Sequence, residues 1–225
     1  VLSRASLASV AAGALLAIAA VTGIGGPWTV LPMLFILLGT YGFMQGNTIH
    51  DRPLHAVEAM PEAFPPSEYD VFVAIGYGRM NRMRQRVYEE VKTLGYRCAT
   101  FVHPTVKIWS STTLGDNVFI FEDNTIQPFT RIGNDTILWS GNHLGHHSSV
   151  GNHCFIASHV VISGSCTVGN NVFIGVNATF HDSLTIADDC LIGAGAVISK
   201  STKAKEVFVP ASTKPFPKNS EEIGF

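Results

Sequence analysis

The chain has 225 residues, of which 46% are hydrophobic and 14% charged, with a formal net charge of −2 and a pI near 6.5. That length suits one main domain plus a smaller one. The near-neutral balance leaves no basic footprint for nucleic acid. Four cysteines without a framework spacing exclude a disulfide-stapled scaffold and fit a reducing compartment such as the cytoplasm.

Residues 1–50 differ from the rest. Ala5–Ile24 carries no charge, Gly25-Gly26-Pro27 breaks the run, and Trp28–Gln45 is again uncharged. Two such spans joined by a tight turn predict an apolar helical hairpin, long enough to cross a bilayer. A signal peptide fits poorly, because a second apolar stretch follows at once. LLGTYGFMQGNT at 37–48 resembles a transmembrane piece of a major-facilitator drug transporter. The chain begins with Val, as a fragment or fusion would. Three readings stand side by side: foreign sequence, a real membrane hairpin, or soluble helices packed on a partner. Membrane tethering at the cytoplasmic face follows only if residues 5–46 are genuine.

Residues 51–100 read as a compact α/β piece. Pro61, Pro65 and Pro66 mark a loop, VFVAI at 71–75 a buried strand, and Gly76-Tyr77-Gly78 a turn. Apolar Met80, Met83, Val87, Val91 and Leu94 predict a helix over 79–94 with Gly95 as its C-cap. A strand, a glycine turn and a helix N-terminus can hold a phosphate, with Arg79, Arg82 and Arg84 adding charge. The alternative is an ordinary strand-to-helix connection with a solvated basic face.

From Val102 to Ile198 every sixth residue is aliphatic, with Phe180 as the single exception. This period is neither helical nor that of a simple strand. It predicts a hexapeptide parallel β-helix over 101–200. Two residues before each aliphatic stands a second, mostly small register that includes Asn124, Thr136, Ser148, Cys154, Cys166 and Cys190. Residues i and i−2 of a strand share a face, so each hexad sends one large and one small side chain inward. Three hexads close one triangular coil. Gly115, Gly133, Gly151 and Gly169 then recur once per coil, as corner glycines would. Cys154 and Cys190 stand two coils apart on one face, about 9.6 Å by the strand spacing, too far for a disulfide. They read as core fillers. Residues 201–225 carry no hexad, apart from one edge strand at 206–209.

Seven of the nine histidines fall in or at the start of the coil, and five crowd into 143–159. His143, His146, His147, His153 and His159 all miss the inward registers. A polar coil face explains any one of them. The cluster also suits general-base catalysis or zinc binding.

The motifs VAIGYGRMNRMRQRVYEEV (73–91), FVHPTVKIW (101–109), GHHSSVGNHCFIASHVVISG (145–164) and VGNNVFIGVNATFHDSLTIADDCLIGAGAVI (168–198) carry a resemblance. Residues 51–210 resemble the left-handed β-helix sugar acyltransferases of the sialic acid O-acetyltransferase and bacillosamine–perosamine N-acetyltransferase type, with a nucleotide-sugar-binding domain before the coil. The resemblance implies a mainly β fold: a left-handed parallel β-helix preceded by a truncated Rossmann-like α/β piece. It implies a homotrimer with acetyl-CoA as cosubstrate, no metal, and a sugar or nucleotide-sugar acceptor. It places the catalytic base at His146 and an oxyanion-binding amide at Gly164. Further coenzyme contacts fall at Gly193, Ala194 and Gly195, and substrate contacts at Gly76, Tyr77 and Arg84. The chain departs from the family pattern in three places. His147 stands where Asp or Glu usually follows the base. Phe155 stands where a second histidine is usual, leaving His143, His147, His153 and His159 as candidate auxiliaries. The apolar segment stands where the nucleotide-binding half begins.

The leading expectation is therefore an acetyl-CoA-dependent acetyltransferase acting on an amino or hydroxyl group of a sugar. One rival is a zinc hydratase of the carbonic-anhydrase kind, for which His143, His147 and His153 are the proposable ligands. The other is a non-enzymatic membrane-tethered scaffold.

Overall fold

The computed structural model describes residues 17–22, 34–36, 48–49, 52–53 and 57–223. The coil is as the hexads require. Its two-residue strands fall on three parallel sheets of seven, six and five strands. Face A runs from Phe101–Val102 to Val207–Phe208, face B from Lys107–Ile108 to Val197–Ile198, and face C from Thr113–Leu114 to Thr185–Ile186. Within the hexad repeat each strand pairs with the one 18 residues on, as Phe119 does with Ile137 and His143 with Val161.

The aliphatic register from Ile120 to Ile198 is buried, and so is the small register from Val118 to Ala196. Ile108, in the first coil, is instead 38% exposed, because no earlier coil covers that end. Polar members of the small register meet backbone: Asn124 Nδ2 donates to Trp139 O at 2.7 Å, and Thr136 Oγ1 to Gly151 O at 2.9 Å. Pairing of this kind removes most of the cost of burying them. The edge strand predicted at 206–209 is present as Val207–Phe208, paired with Leu191–Ile192.

The corners differ from expectation. Gly115, Gly133, Gly151 and Gly169 do not supply the left-handed backbone. That conformation falls two residues later, at Asn117, Asp135, His153, Asn171 and Asp189. Asn, Asp and His are the non-glycine residues that tolerate it best. The glycines serve close approach instead: a Cβ on Gly151 would lie 2.5 Å from Gly169 O.

Before the coil stand β1 (Ala17–Thr22), β2 (Leu34–Ile36), the hairpin β3 (Thr48–Ile49) and β4 (Arg52–Pro53), the short helix α1 (Met60–Ala63), β5 (Tyr69–Ala74), α2 (Arg82–Thr93) and β6 (Arg97–Cys98). Two expectations are corrected here. Ala17–Thr22 and Leu34–Ile36 are strands where a helical hairpin was predicted; the rest of 1–47 lies outside the described residues. The sheet order is β2-β1-β5-β6, and β1 runs antiparallel to β5 while β6 runs parallel to it. Only β5–α2–β6 is therefore Rossmann-like. No helix among the described residues is long and apolar enough to cross a membrane.

Helix α2 starts later than its apolar spacing suggests, because Arg79, Met80 and Asn81 all have φ between +52° and +65°. It ends as predicted. Gly95 has φ +90°, and the amides of Gly95 and Tyr96 return to Lys92 O and Val91 O, a Schellman closure.

Candidate active site

The five clustered histidines separate once the coil is folded. His143 lies on the outer side of face B, half-buried. His146 and His147 form the corner between faces B and C, and both are exposed. His153 stands at the corner between C and A, and His159 at the corner between A and B. His147, His153 and His159 each have φ +58°. Their backbone role, a left-handed turn, explains part of the histidine density. His143 lies on face B, His147 at the B–C corner and His153 at the C–A corner, so these three do not gather into a metal site within one chain.

The corner between faces B and C is the one that gathers reactive groups. The column Pro128, His146, Gly164 and Asp182 steps by one coil at a time. A Cβ on Gly164 would lie 2.7 Å from His146 Cε1 and 2.8 Å from its Nε2, so the imidazole occupies the space that only glycine leaves. The His146 amide donates to Gln127 Oε1 at 2.9 Å. His146 Nδ1 and His147 Nδ1 stand 3.1 Å apart. The His147 ring rests on Phe129, with centroids 4.9 Å apart.

The Gly164 amide, predicted to face the thioester, donates to Asp182 Oδ1 at 3.0 Å. It is committed here, not free. The same link recurs along the corner between C and A, where Asn134 Oδ1 accepts from Asp116 N and Asn152 Oδ1 from Asn134 N. A side-chain oxygen one coil on is thus this fold's regular cap for a corner amide. Sequence reasoning missed Asp182, Gln127 and Phe129; adding 18 to Gly164 would have found Asp182.

Gly193, Ala194 and Gly195 lie at the A–B corner of the last full coil, away from His146 within one chain. The Gly193 amide goes to Phe208 O and the Gly195 amide to Val176 O. What they offer is bare surface: Gly195 has φ +73° with nothing near its Cβ position, and Ala194 is exposed.

The α/β piece covers the outer side of face A. Tyr77, 56% exposed, sits edge-on to Phe155 at 4.9 Å and tilted against Phe173 at 5.0 Å. Phe155, found where the family pattern has a histidine, is thus a packing residue. Gly76 O accepts from Arg84 Nη1 at 3.0 Å. Arg84 itself is fully buried, which corrects its assignment as a substrate contact. Its Nε meets Asp135 Oδ1 at 3.1 Å, and its Nη2 donates to Cys154 O at 2.9 Å. Burial lowers the Arg84 pKa, and the Asp135 carboxylate opposes that shift. Asp135 also holds Asn117 Nδ2 at 2.7 Å and His153 Nδ1 at 2.8 Å. His153 therefore belongs to the seam, not to the base. Arg79, Arg82 and Arg86 are exposed and with Met83 line a cavity of about 370 Å³. Arg82 among them is ion-paired with Asp189.

Comparison with known proteins supports the coil fold. Residues 129–164 and 165–200 match the family model described as bacterial transferase hexapeptide (six repeats). Those two stretches carry the hexapeptide repeat, and with the likenesses that follow they support an acyltransferase. No curated sequence matches it. Among solved structures it is similar to a histidine-to-asparagine mutant of perosamine N-acetyltransferase from Caulobacter crescentus in complex with CoA and GDP-perosamine. That match has 26% identity and a TM-score of 0.66, covering 73% of this chain and 78% of the other. It is also similar to the acetyltransferase domain of PglB from Neisseria gonorrhoeae, with 21% identity and a TM-score of 0.65, covering 72% and 78%. The second likeness speaks for the fold alone.

Proposed function

We propose that this acyltransferase moves an acetyl group from acetyl-CoA to an amino or hydroxyl group of a nucleotide-linked sugar, with His146 as general base. The observation that carries the reading is the exposed His146 imidazole lying against Gly164, whose amide already holds an anionic oxygen at 3.0 Å. That distance is the one an oxyanion donor needs. Perosamine N-acetyltransferase, the relative solved with CoA and GDP-perosamine, supports the two substrates.

Acetyl-CoA brings an activated acyl carbon and a thiolate leaving group. His146 takes the proton of the acceptor N–H or O–H as it attacks that carbon. Asp182 turns aside, and the Gly164 N–H meets the developing oxyanion, a contribution of about 3 kcal/mol. The C–S bond breaks, and the proton held by His146 ends on the coenzyme A sulfur. Holding acceptor and thioester together supplies much of the remaining rate. The side-chain-free stretch at Gly193, Ala194 and Gly195 suits a coenzyme chain lying along the coil. Because that corner and His146 are apart in one chain, the reading includes a trimer in which a neighbouring coil completes the site.

The test is a thiol-release assay with acetyl-CoA and a panel of nucleotide-linked amino sugars, GDP-perosamine among them. Release that depends on the acceptor and disappears in His146→Ala is expected. Acceptor-dependent release that persists in His146→Ala would remove His146 from the base role. No release with any acceptor, from trimeric protein, would overturn the substrate class.

A further inference from the structure

We infer that His147 is the positioning residue of the base: its Nδ1 accepts the Nδ1–H of His146 and so keeps the lone pair of His146 on Nε2. This inference rests on the reading of His146 given above.

Two nitrogens 3.1 Å apart must be one donor and one acceptor. If His146 donates, its neutral form has Nδ1–H and a bare Nε2. The Nε2 lies against Gly164, 2.8 Å from where a Cβ would be, on the side where the thioester is expected. If His147 donates instead, His146 carries its hydrogen on Nε2 and cannot accept one there. Only the first arrangement is a base. When Nε2 takes up the acceptor's proton, the His146 cation donates Nδ1–H to His147 in a charge-assisted bond, which is stronger than the neutral one.

The surroundings hold His147 in place to do this. Its amide donates to Pro128 O at 3.1 Å, its backbone is locked at φ +58°, and its ring lies on Phe129. The groups that face the pair are Gln127, whose Oε1 accepts the His146 amide, the Phe129 ring, Gly164, and Asp182 on the Gly164 amide. Asp182 is the carboxylate that reaches this corner, and its contact is to backbone, not to either ring. The partner of the base is therefore an imidazole where a carboxylate would bring a full charge. Protonating His147 would convert it from acceptor to donor and disable the pair.

The fold itself shows which variants are tolerated. At the C–A corner the same left-handed position is filled by Asn117, Asp135, His153, Asn171 and Asp189. Asn and Asp at 147 therefore keep the turn, and their Oδ1 stands where His147 Nδ1 stood. Three variants separate the roles, in a trimer-forming full chain with GDP-perosamine and acetyl-CoA. His147→Asn keeps an acceptor that cannot be protonated, and kcat should stay within a few-fold of the parent. His147→Asp adds charge, and the acid limb of kcat/KM should move up by about one pH unit. His147→Ala removes the acceptor, and kcat should fall about 10- to 100-fold with KM for acetyl-CoA unchanged. A readout independent of turnover is 15N NMR of the histidine rings. His146 should be the Nδ1–H tautomer in the parent and in His147→Asn, and should lose that preference in His147→Ala. A parent His146 with its hydrogen on Nε2, or equal kcat and one shared pH profile across all three variants, would overturn the proposal while leaving His146 as base. Full activity of His146→Ala would instead remove the reading beneath it.

Discussion

His147 and His153 occupy equivalent places in the repeat, with the same φ of +58°, and have opposite fates. His147 stands in solvent beside a second histidine. The His153 side chain is 12% exposed and hydrogen-bonded to Asp135 beneath α2, with the Tyr88 ring edge-on at 5.5 Å. The coil does not distinguish the two corners. The α/β piece does, by covering one of them. At the covered corner Arg84, Asp135 and Asn117 form a buried polar network in which Asn117 also receives Val73 N at 2.7 Å from the edge of β5. A periodic scaffold thus offers the same side-chain position three times per turn, and packing decides which copies remain free for chemistry.

The largest effect is expected at the covered corner, and on stability. Arg84→Ala leaves the Asp135 carboxylate buried without its cation, which costs about 3–5 kcal/mol. Pairing Arg84→Met with Asp135→Asn removes both charges and should recover much of that loss. Denaturation midpoints of the two variants check this. Equal midpoints for Arg84→Ala and the parent would mean that the seam is not a structural unit.

The exposed corner should respond in rate instead. His146→Ala is expected to lose at least about 100-fold in turnover with an unchanged melting profile, because the ring is exposed and fills no core. His153→Asn, at the matching position of the next corner, should keep turnover within a few-fold while lowering the melting temperature. Reversal of that pattern would exchange the roles assigned to the two corners.

A smaller loss is expected from Gly164→Ala. The added methyl would meet the His146 ring at 2.7 Å, and the ring must swing away. Displacement of a catalytic group by about 1 Å can cost up to 10²-fold, so turnover should drop about 10- to 100-fold while the coil melts as before. Steady-state kinetics beside thermal melts would show it. Unchanged kinetics would mean that the ring does not rest there during turnover.

The coil was legible in the sequence because each hexad repeats the same decision. One large and one small residue point inward, and 17 repetitions leave no competing register. His146 and Gly164 were legible through the 18-residue step. Arg84 was misread because sequence shows a basic face at 79–86 without showing which arginine turns inward. Only the docking of α2 on Asp135 and Cys154 decides that. The corner glycines were assigned the left-handed turn because glycine is its default residue; Asn, Asp and His held that position instead. The apolar run at 1–50 was read by hydropathy, which reports burial but does not choose between helix and a strand added to β5.

The thiols offer the mildest test of the same contrast between coil and seam. All four cysteines are free and buried. Burial pushes Cys98, in the α/β piece, and Cys154, inside the coil, from 9.0 up to about 12. The thiolate is the reactive form, so native protein near pH 8 should resist alkylation until it unfolds. The sign with pH follows from proton counting. Between about 9 and about 12 the unfolded chain has released these protons while the folded chain still holds them. The unfolded state then binds fewer protons, and stability falls as pH rises. Below pH 9 these two groups contribute no slope. Denaturation midpoints across alkaline pH should show that decline, and Cys154→Ala should flatten it, since alanine already fills the same register at Ala178 and Ala196. The order of labelling adds the finer information. If the seam opens before the coil, Arg84→Ala should let Cys98 react while Cys154 stays protected. Simultaneous labelling of both would mean that the two parts unfold as one.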